Sequence, residues 1–396
     1  MARERAMEGR KVRVAVHGYG VIGKRVADAV ALQDDMELVG VADVAHDYRV
    51  RVAAERGYPL YASMPGVQFR MEEAGLHVAG TLEELLQRVD VVVDCTPKGI
   101  GTNNRERYEK AGVKAIWQGG EKHQFAGVSF VSQVNYADAL NQRHARVVSC
   151  NTTALCRVAG ALHSRGWVKR VRAVIMRRGT DPWESHENGM INTAIPELVV
   201  PSHQGPDAQT VIRGLDIVTM AGAAPFDLSH LHYLMVETTR PVSVDELKQA
   251  LWEAPRIAFV QGGDGLVALN SVIELMRDLG RPRNDMWEVA VWEDGLAADH
   301  HDLYITYQVD NEAVVVPENV DCIRALTGVE TSAAASMEKT DRTLGIVKEF
   351  LPSSHRAHAP GTFAAAFNTV QARYMEEGFK GSEEPAEPEH SPEQSS

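Results

Sequence analysis

The chain of 396 residues, 44% hydrophobic and 24% charged with a net charge of −13, has the balance of a globular protein long enough for two cored domains. Its four cysteines, Cys95, Cys150, Cys156 and Cys322, are too few for a disulfide framework. No apolar stretch of signal-peptide length follows Met1 to Arg10, and no run approaches the roughly 18 apolar residues of a membrane helix. These features predict a cytoplasmic protein without a membrane span. The acidity argues against a general nucleic-acid binder but leaves local arginine pairs free to hold small anions.

Taken in chain order, 11–18 (KVRVAVHG) reads as a buried parallel strand, 21–33 as an amphipathic helix and 36–43 (MELVGVAD) as a second strand, which makes a βαβ unit. A helix-like 81–89 then precedes strand-like 90–95 (DVVVDC) and 114–117 (KAIW). The alternation predicts an α/β protein whose residues 1–149 form an N-terminal Rossmann domain with a doubly wound parallel sheet. Beyond Cys150, strand-like 171–176, 231–237 and 287–292 and helix-like 246–252 and 271–279 predict an α+β catalytic domain, 150–320, with a largely antiparallel sheet. A C-terminal helix in 321–350 is expected to pack back on the first domain. An extension, 351–380, carries a helical stripe of Phe363, Phe367, Val370 and Tyr374, and the Pro-, Glu- and Ser-rich 381–396 is expected to be a disordered tail.

Gly18-Tyr19-Gly20-Val21-Ile22-Gly23 is a G-x-G-x-x-G between a strand and a helix, the setting in which glycines bring backbone against a pyrophosphate at a helix N-terminus. Asp43, at the end of the second strand, is placed to accept from the adenine ribose hydroxyls and to repel a 2′-phosphate. NAD is therefore expected over NADP, with Arg49 and Arg51 as the residues that would make NADP possible. The competing reading of Asp43 is a solvated strand-end carboxylate.

Ser149-Cys150-Asn151-Thr152-Thr153 follows strand-like 146–149 and opens a helix, whose N-terminus would favour a thiolate. Taken alone, the pentapeptide fits a nucleophile or a buried structural cysteine equally well. Its neighbours decide the matter. GYGVIGKRVADAV, DVVVDCTPKG, WQGGEK, SCNTTALCR, VRAVIMRRGTDP, SHQGPDAQTV, HLHYLMVE, GRPRNDMWEVAVW and VPENVDCIRAL occur in this order between about Lys11 and Val347, and the chain resembles the archaeal-type glyceraldehyde-3-phosphate dehydrogenases.

That resemblance implies a nicotinamide-dependent, phosphorylating oxidation of glyceraldehyde 3-phosphate through a Cys150 thiohemiacetal and thioester. It implies His230 as the base in preference to His232, and substrate contacts from Ser149, Asn151 and Thr152. Gly120, Arg178 and Asn311 would join Val21 and Ile22 at the coenzyme. Arg177 and the turn carrying His203, Gln204 and Gly205 would hold phosphate. The implied partners are a small phosphorylated aldehyde and inorganic phosphate, the implied assembly is a homotetramer, and no metal is expected. Gln204 replaces a usual histidine, Asp227 stands in a segment that usually carries threonines, and Asn311 replaces a glutamine. These departures leave open a different phosphorylated or phosphonylated aldehyde, or a non-catalytic cofactor sensor.

Overall fold

A computed structural model describes residues 10–351 of the chain. Its first sheet is built from β1 (Val12–His17), β2 (Met36–Asp43), β3 (Leu60–Ala62), β4 (Val78–Thr81), β5 (Val91–Asp94), β6 (Lys114–Trp117), β7 (Ser129–Phe130) and β8 (His144–Val147). The strand order is β4-β3-β2-β1-β5-β6-β8-β7, and every pairing is parallel. The continuous β-branched runs are explained by this placement: β1 and β5 lie mid-sheet with helices on both faces, so both sides of each strand are buried. The chain order reverses between β1 and β5, and the crevice outside the carboxyl end of β1 is where such a sheet binds its ligand.

The second sheet uses β9 (Val168–Arg178), β10 (Ile195–Pro196), β11 (Ile217–Ala224), β12 (His230–Thr238), β13 (Ile257–Val260), β14 (Val289–Trp292), β15 (Ala297–Asp299) and β16 (Asp302–Val309). Its order is β10-β11-β9-β12-β16-β14-β13, with β15 on β16; the pairings are antiparallel except β11 with β9 and β13 with β14. The helix Cys150–His163 follows β8 after Val148 and Ser149, is buried along almost its whole length and packs on β9 and β16, so the expected nucleophile sits where the chain passes from the first sheet to the second.

Predicted ends shift for local reasons. The helix expected over 21–33 stops at Ala31 because Gln33 turns back to bond the Ala29 carbonyl and Thr343. Thr81 is not in its helix but caps Leu82–Leu86, in a reciprocal capping box with Glu84. The C-terminal helix begins at Val316, upstream of 321, and a second follows at Ala333–Leu344. Arg324 of the first bonds both Asp35 oxygens, at 2.8 and 2.9 Å, and Gln33, which ties this helix to the Rossmann sheet. The aromatic stripe of 351–380 and the tail 381–396 lie outside the described residues.

Candidate active site

Each glycine of the dinucleotide loop answers to a different constraint. Gly18 turns the chain at φ +91°, and a Cβ there would lie 2.8 Å from the Cys95 backbone. A Cβ on Gly23 would fall 1.8 Å from the Gly18 carbonyl, so only glycine lets the helix pack on the strand. Gly20 faces open space, with nothing within 4 Å of a Cβ position, at the N-terminus of Val21–Ala31 where free N–H groups await an anion. Asp43 fastens this loop: its Oδ2 accepts from Tyr19 N at 2.5 Å and its Oδ1 from Val44 N and Ala45 N, each at 2.7 Å. Arg49 is engaged by Asp47 and lies over the Trp183 ring, while Arg51 donates to the Ala74 carbonyl.

Cys150 opens its helix behind Ser149, whose hydroxyl caps the turn by accepting from Thr152 N. Its Sγ lies 3.3 Å from His230 Nε2. His230, the first residue of β12, has its other ring nitrogen, Nδ1, accepting from the backbone N–H of Arg178 at 3.0 Å. His232 faces the same side but is held elsewhere. Its Nε2 donates to Asn151 Oδ1 at 2.8 Å and its Nδ1 accepts from the Tyr307 hydroxyl, so burial keeps it neutral, with its pKa pushed down to about 3.

Burial favours the neutral form of both members of the sulfur–imidazole pair. Burial pushes the Cys150 thiol up to about 11, against the opposing pull of Arg178 and of the N–H groups of Asn151 and Cys150. Burial, then His232, Arg178 and Arg177, hold His230 well below the ordinary histidine range. Desolvation thus opposes the thiolate that the helix N-terminus alone would favour.

A cavity of about 750 Å³ opens beside this pair. Of the residues singled out in the sequence, Val21, Ile22, Gly120, Ser149, Cys150, Arg178, His203 and Asn311 line it. Asn311 is oriented for a ligand: its Oδ1 accepts from Ser229 N at 2.8 Å, and its Nδ2 is buried without a hydrogen-bond partner among the described residues. An amide donor so placed suits a carbonyl such as that of a nicotinamide carboxamide. The open Gly20, the helix N-terminus and this orphaned donor together fit a nicotinamide dinucleotide.

Five expected substrate contacts lie off the wall. Asn151 is spent on His232, and Thr152 is fully buried with its hydroxyl 3.0 Å from that of Ser149. Arg177 pairs with Glu197 at 3.1 Å toward the β10 edge. Gly205 gives its N–H to Thr219 Oγ1, and Gln204 is fully buried beside it. A turn read as a donor-rich anion loop thus has its donors turned into the domain, and only His203 of the three reaches the cavity. Asp227 is not part of the wall either.

Lining residues that the sequence did not mark include Lys98, Gln118, Glu121, Lys122, His123 and Arg146. Lys98 and Lys122 stand in TPKG and WQGGEK, so the motifs were visible but not their direction. Gly119 explains the glycine pair, since a Cβ there would lie 2.3 Å from Ser149 N.

Residues 149–294 match the family model described as glyceraldehyde 3-phosphate dehydrogenase, C-terminal domain, and residues 12–119 match that of the dihydrodipicolinate reductase N-terminus. The chain is 49% identical over 336 residues to a glyceraldehyde-3-phosphate dehydrogenase of Methanobacterium bryantii, a match that covers 84% of this chain and 99% of the relative. It is 48% identical over 336 residues to that of Methanobacterium formicicum, with the same coverage. It is 45% identical over 340 residues to glyceraldehyde-3-phosphate dehydrogenase 1 of Methanosarcina barkeri, over 86% of this chain and 99% of the relative.

Proposed function

The chain belongs to the glyceraldehyde-3-phosphate dehydrogenase family, and on that premise we propose that Cys150 is the nucleophile, His230 its proton partner and Asn311 the anchor of the coenzyme amide. The protein is a nicotinamide-dependent oxidoreductase that oxidises glyceraldehyde 3-phosphate, with inorganic phosphate as second substrate. The observation that carries the residue assignment is the 3.3 Å approach of the buried His230 Nε2 to Sγ of Cys150, which lines a cavity together with Asn311 and its orphaned Nδ2.

Cys150 Sγ adds to the aldehyde carbon, and the thiol proton ends on the former carbonyl oxygen, giving a thiohemiacetal. Oxidation removes a hydride from that carbon and the proton from its oxygen; His230 takes the proton, and a thioester remains. When bound, the nicotinamide coenzyme supplies the hydride acceptor. Phosphate oxygen then attacks the thioester carbon, the C–S bond breaks, and the acyl phosphate leaves while sulfur regains its proton. The test is coenzyme reduction with aldehyde and phosphate or arsenate: Cys150→Ser should fall to background, and His230→Ala should lose about 10²–10⁴-fold. A Cys150→Ser variant as fast as the parent would overturn the scheme.

The preference for NAD is supported by Asp43 at the end of β2, a carboxylate beside the dinucleotide loop that would repel a 2′-phosphate. A higher kcat/KM with NADP would overturn it. The departures that raised another aldehyde, Gln204 and Asp227, do not line the cavity, so glyceraldehyde 3-phosphate remains the reading. A division into a coenzyme domain through Ser149, a catalytic domain from Cys150 and C-terminal helices returning to the first is supported by the two separate sheets. Among the described residues no helix is long and apolar enough to cross a membrane, and four free cysteines suit a reducing cytoplasm. Val174, Met220, Tyr233 and Tyr304 are 37, 54, 41 and 41% exposed on one face of the second sheet, which supports association through this face, with the homotetramer implied by the resemblance as the expected assembly. Light scattering on the purified chain tests it.

A further inference from the structure

The reaction handles two phosphoryl dianions, the aldehyde's own and the incoming phosphate. Arg177, Gln204 and Gly205, which the sequence offered for them, do not face the cavity. Its wall does carry cations from another source, the dinucleotide domain. Lys98 follows β5 and Lys122 follows β6, and both line the cavity with Arg146 of β8 and His203. Neither lysine has a carboxylate within ion-pair distance among the described residues, whereas Arg178 of the same wall is paired with Asp181.

Arg146 is 2% exposed and firmly set: Nε donates to Ser129 Oγ at 2.8 Å, Nη1 to the Glu121 carbonyl at 2.6 Å and Nη2 to Asp207 Oδ1 at 2.7 Å. Each Nη keeps a second N–H. The carboxylates on this wall are already engaged, Asp207 by Arg146, Asp181 by Arg178, and Glu121 by Gly99 N at 2.9 Å and the Thr102 hydroxyl at 2.8 Å. With Arg178 and its partner Asp181 included, four cations thus stand against three bonded carboxylates, and the two exposed lysines leave an excess of positive charge that attracts an anion. Gly120 lets the two lysine loops lie close: a Cβ there would stand 3.1 Å from Lys98 Cβ, tighter than an ordinary contact.

We propose that Lys98, Lys122 and Arg146, with His203, form a phosphoryl-anion subsite that holds either the phosphoryl group of the aldehyde or the attacking phosphate. The subsite rests on the dehydrogenase reading above. It makes the dinucleotide domain a direct contributor to substrate recognition, through backbone loops brought beside Ser149 by Gly119. It also accounts for two cavity-lining lysines that have no carboxylate partner among the described residues.

The test uses Lys98→Gln, Lys122→Gln, the double variant and Lys122→Arg. Steady-state kinetics are measured with glyceraldehyde 3-phosphate, unphosphorylated glyceraldehyde, inorganic phosphate and coenzyme. The double variant should raise KM for either the phosphorylated aldehyde or inorganic phosphate by tenfold or more, and which of the two rises names the occupant. The kcat/KM ratio of phosphorylated to unphosphorylated aldehyde, or the KM for phosphate, should recover in Lys122→Arg relative to Lys122→Gln. An equal loss with both aldehydes, a rise confined to coenzyme KM, or no change in any KM overturns the subsite. If the parent does not turn over glyceraldehyde 3-phosphate, the underlying reading fails on its own. Calorimetric titration of inorganic phosphate into parent and double variant then still decides the subsite, with lost binding supporting it and equal binding overturning it.

Discussion

The backbone N–H of Arg178 donates to Nδ1 of His230 at 3.0 Å, and this bond fixes which edge of the imidazole meets the nucleophile. A neutral ring that accepts at Nδ1 carries its proton on Nε2, which therefore points as a donor at Cys150 Sγ, 3.3 Å away. To collect the thiohemiacetal proton at Nε2, the ring must move its own proton to Nδ1, against the Arg178 N–H. The proton step is thus linked to release of that bond.

The resting pair leaves a pH signature. Because burial holds the Cys150 thiol up to about 11 and His230 below its ordinary range, the coenzyme-free protein carries little thiolate near neutrality. Alkylation of Cys150 by iodoacetamide, followed by peptide mass spectrometry, should accelerate about tenfold per pH unit between roughly pH 7 and 10. A rate already flat below pH 7 would mean a preformed thiolate–imidazolium pair instead. Cys156 and Cys322, fully buried, should label far more slowly than Cys150.

Arg25 ties the coenzyme helix to the catalytic domain. It is buried, with Nε 2.6 Å from Asp285 and Nη2 2.6 Å from Glu312, the neighbour of Asn311, while Nη1 donates to the Val21 carbonyl. Replacing it by methionine strands two buried carboxylates, and denaturant unfolding should show a loss of about 3–5 kcal/mol. Burial already raises Asp285 to about 7 despite Arg25. A raised carboxyl binds its proton more tightly in the folded state, so its contribution is present below about pH 4 and is lost as pH rises toward 7. Asp285→Asn should flatten that part of the stability profile, and an unchanged profile would exclude Asp285 as its source.

Alkaline conditions act on the cysteines in the same direction. Burial raises Cys95, Cys156 and Cys322 as well as Cys150, each above the ordinary value of 9.0. The folded chain retains thiol protons that the unfolded chain releases, so stability is intact below about pH 9 and falls above it, by about 1.4 kcal/mol per pH unit for each such group. Urea midpoints measured from pH 8 to 10.5 should fall continuously past pH 9, and a constant midpoint would contradict the burial of these thiols.

Gly119 sets the distance between the WQGG loop and the nucleophile turn. A methyl at this position would lie 2.3 Å from Ser149 N and 2.7 Å from Ser149 Cα, both backbone atoms that cannot swing aside. Gly119→Ala should displace the Cys150 turn and lower kcat/KM by about 10–100-fold, as small misplacements of a reacting group do. Circular dichroism should show the helices retained, and a variant with parental kcat/KM would show that the turn adapts.

Local rules settled much of this protein before any tertiary contact was known. The Gly18–Gly23 pattern sits between β1 and a helix because strand burial, helical spacing and glycine geometry are all short-range properties, and 36–43 and 114–117 were legible to the residue for the same reason. Cys150 at a helix start and a histidine pair on β12 were equally visible, since both follow from position within one element. What a sequence does not encode locally is direction across elements. Only the fold turned His230 toward sulfur and His232 toward Asn151 and Tyr307, sent Arg177 to Glu197, buried Gln204, and brought Lys98, Lys122 and Arg146 to one wall. The protonation of Cys150 belongs to the same class, because desolvation depends on what packs around the sulfur and not on the residues beside it in the chain.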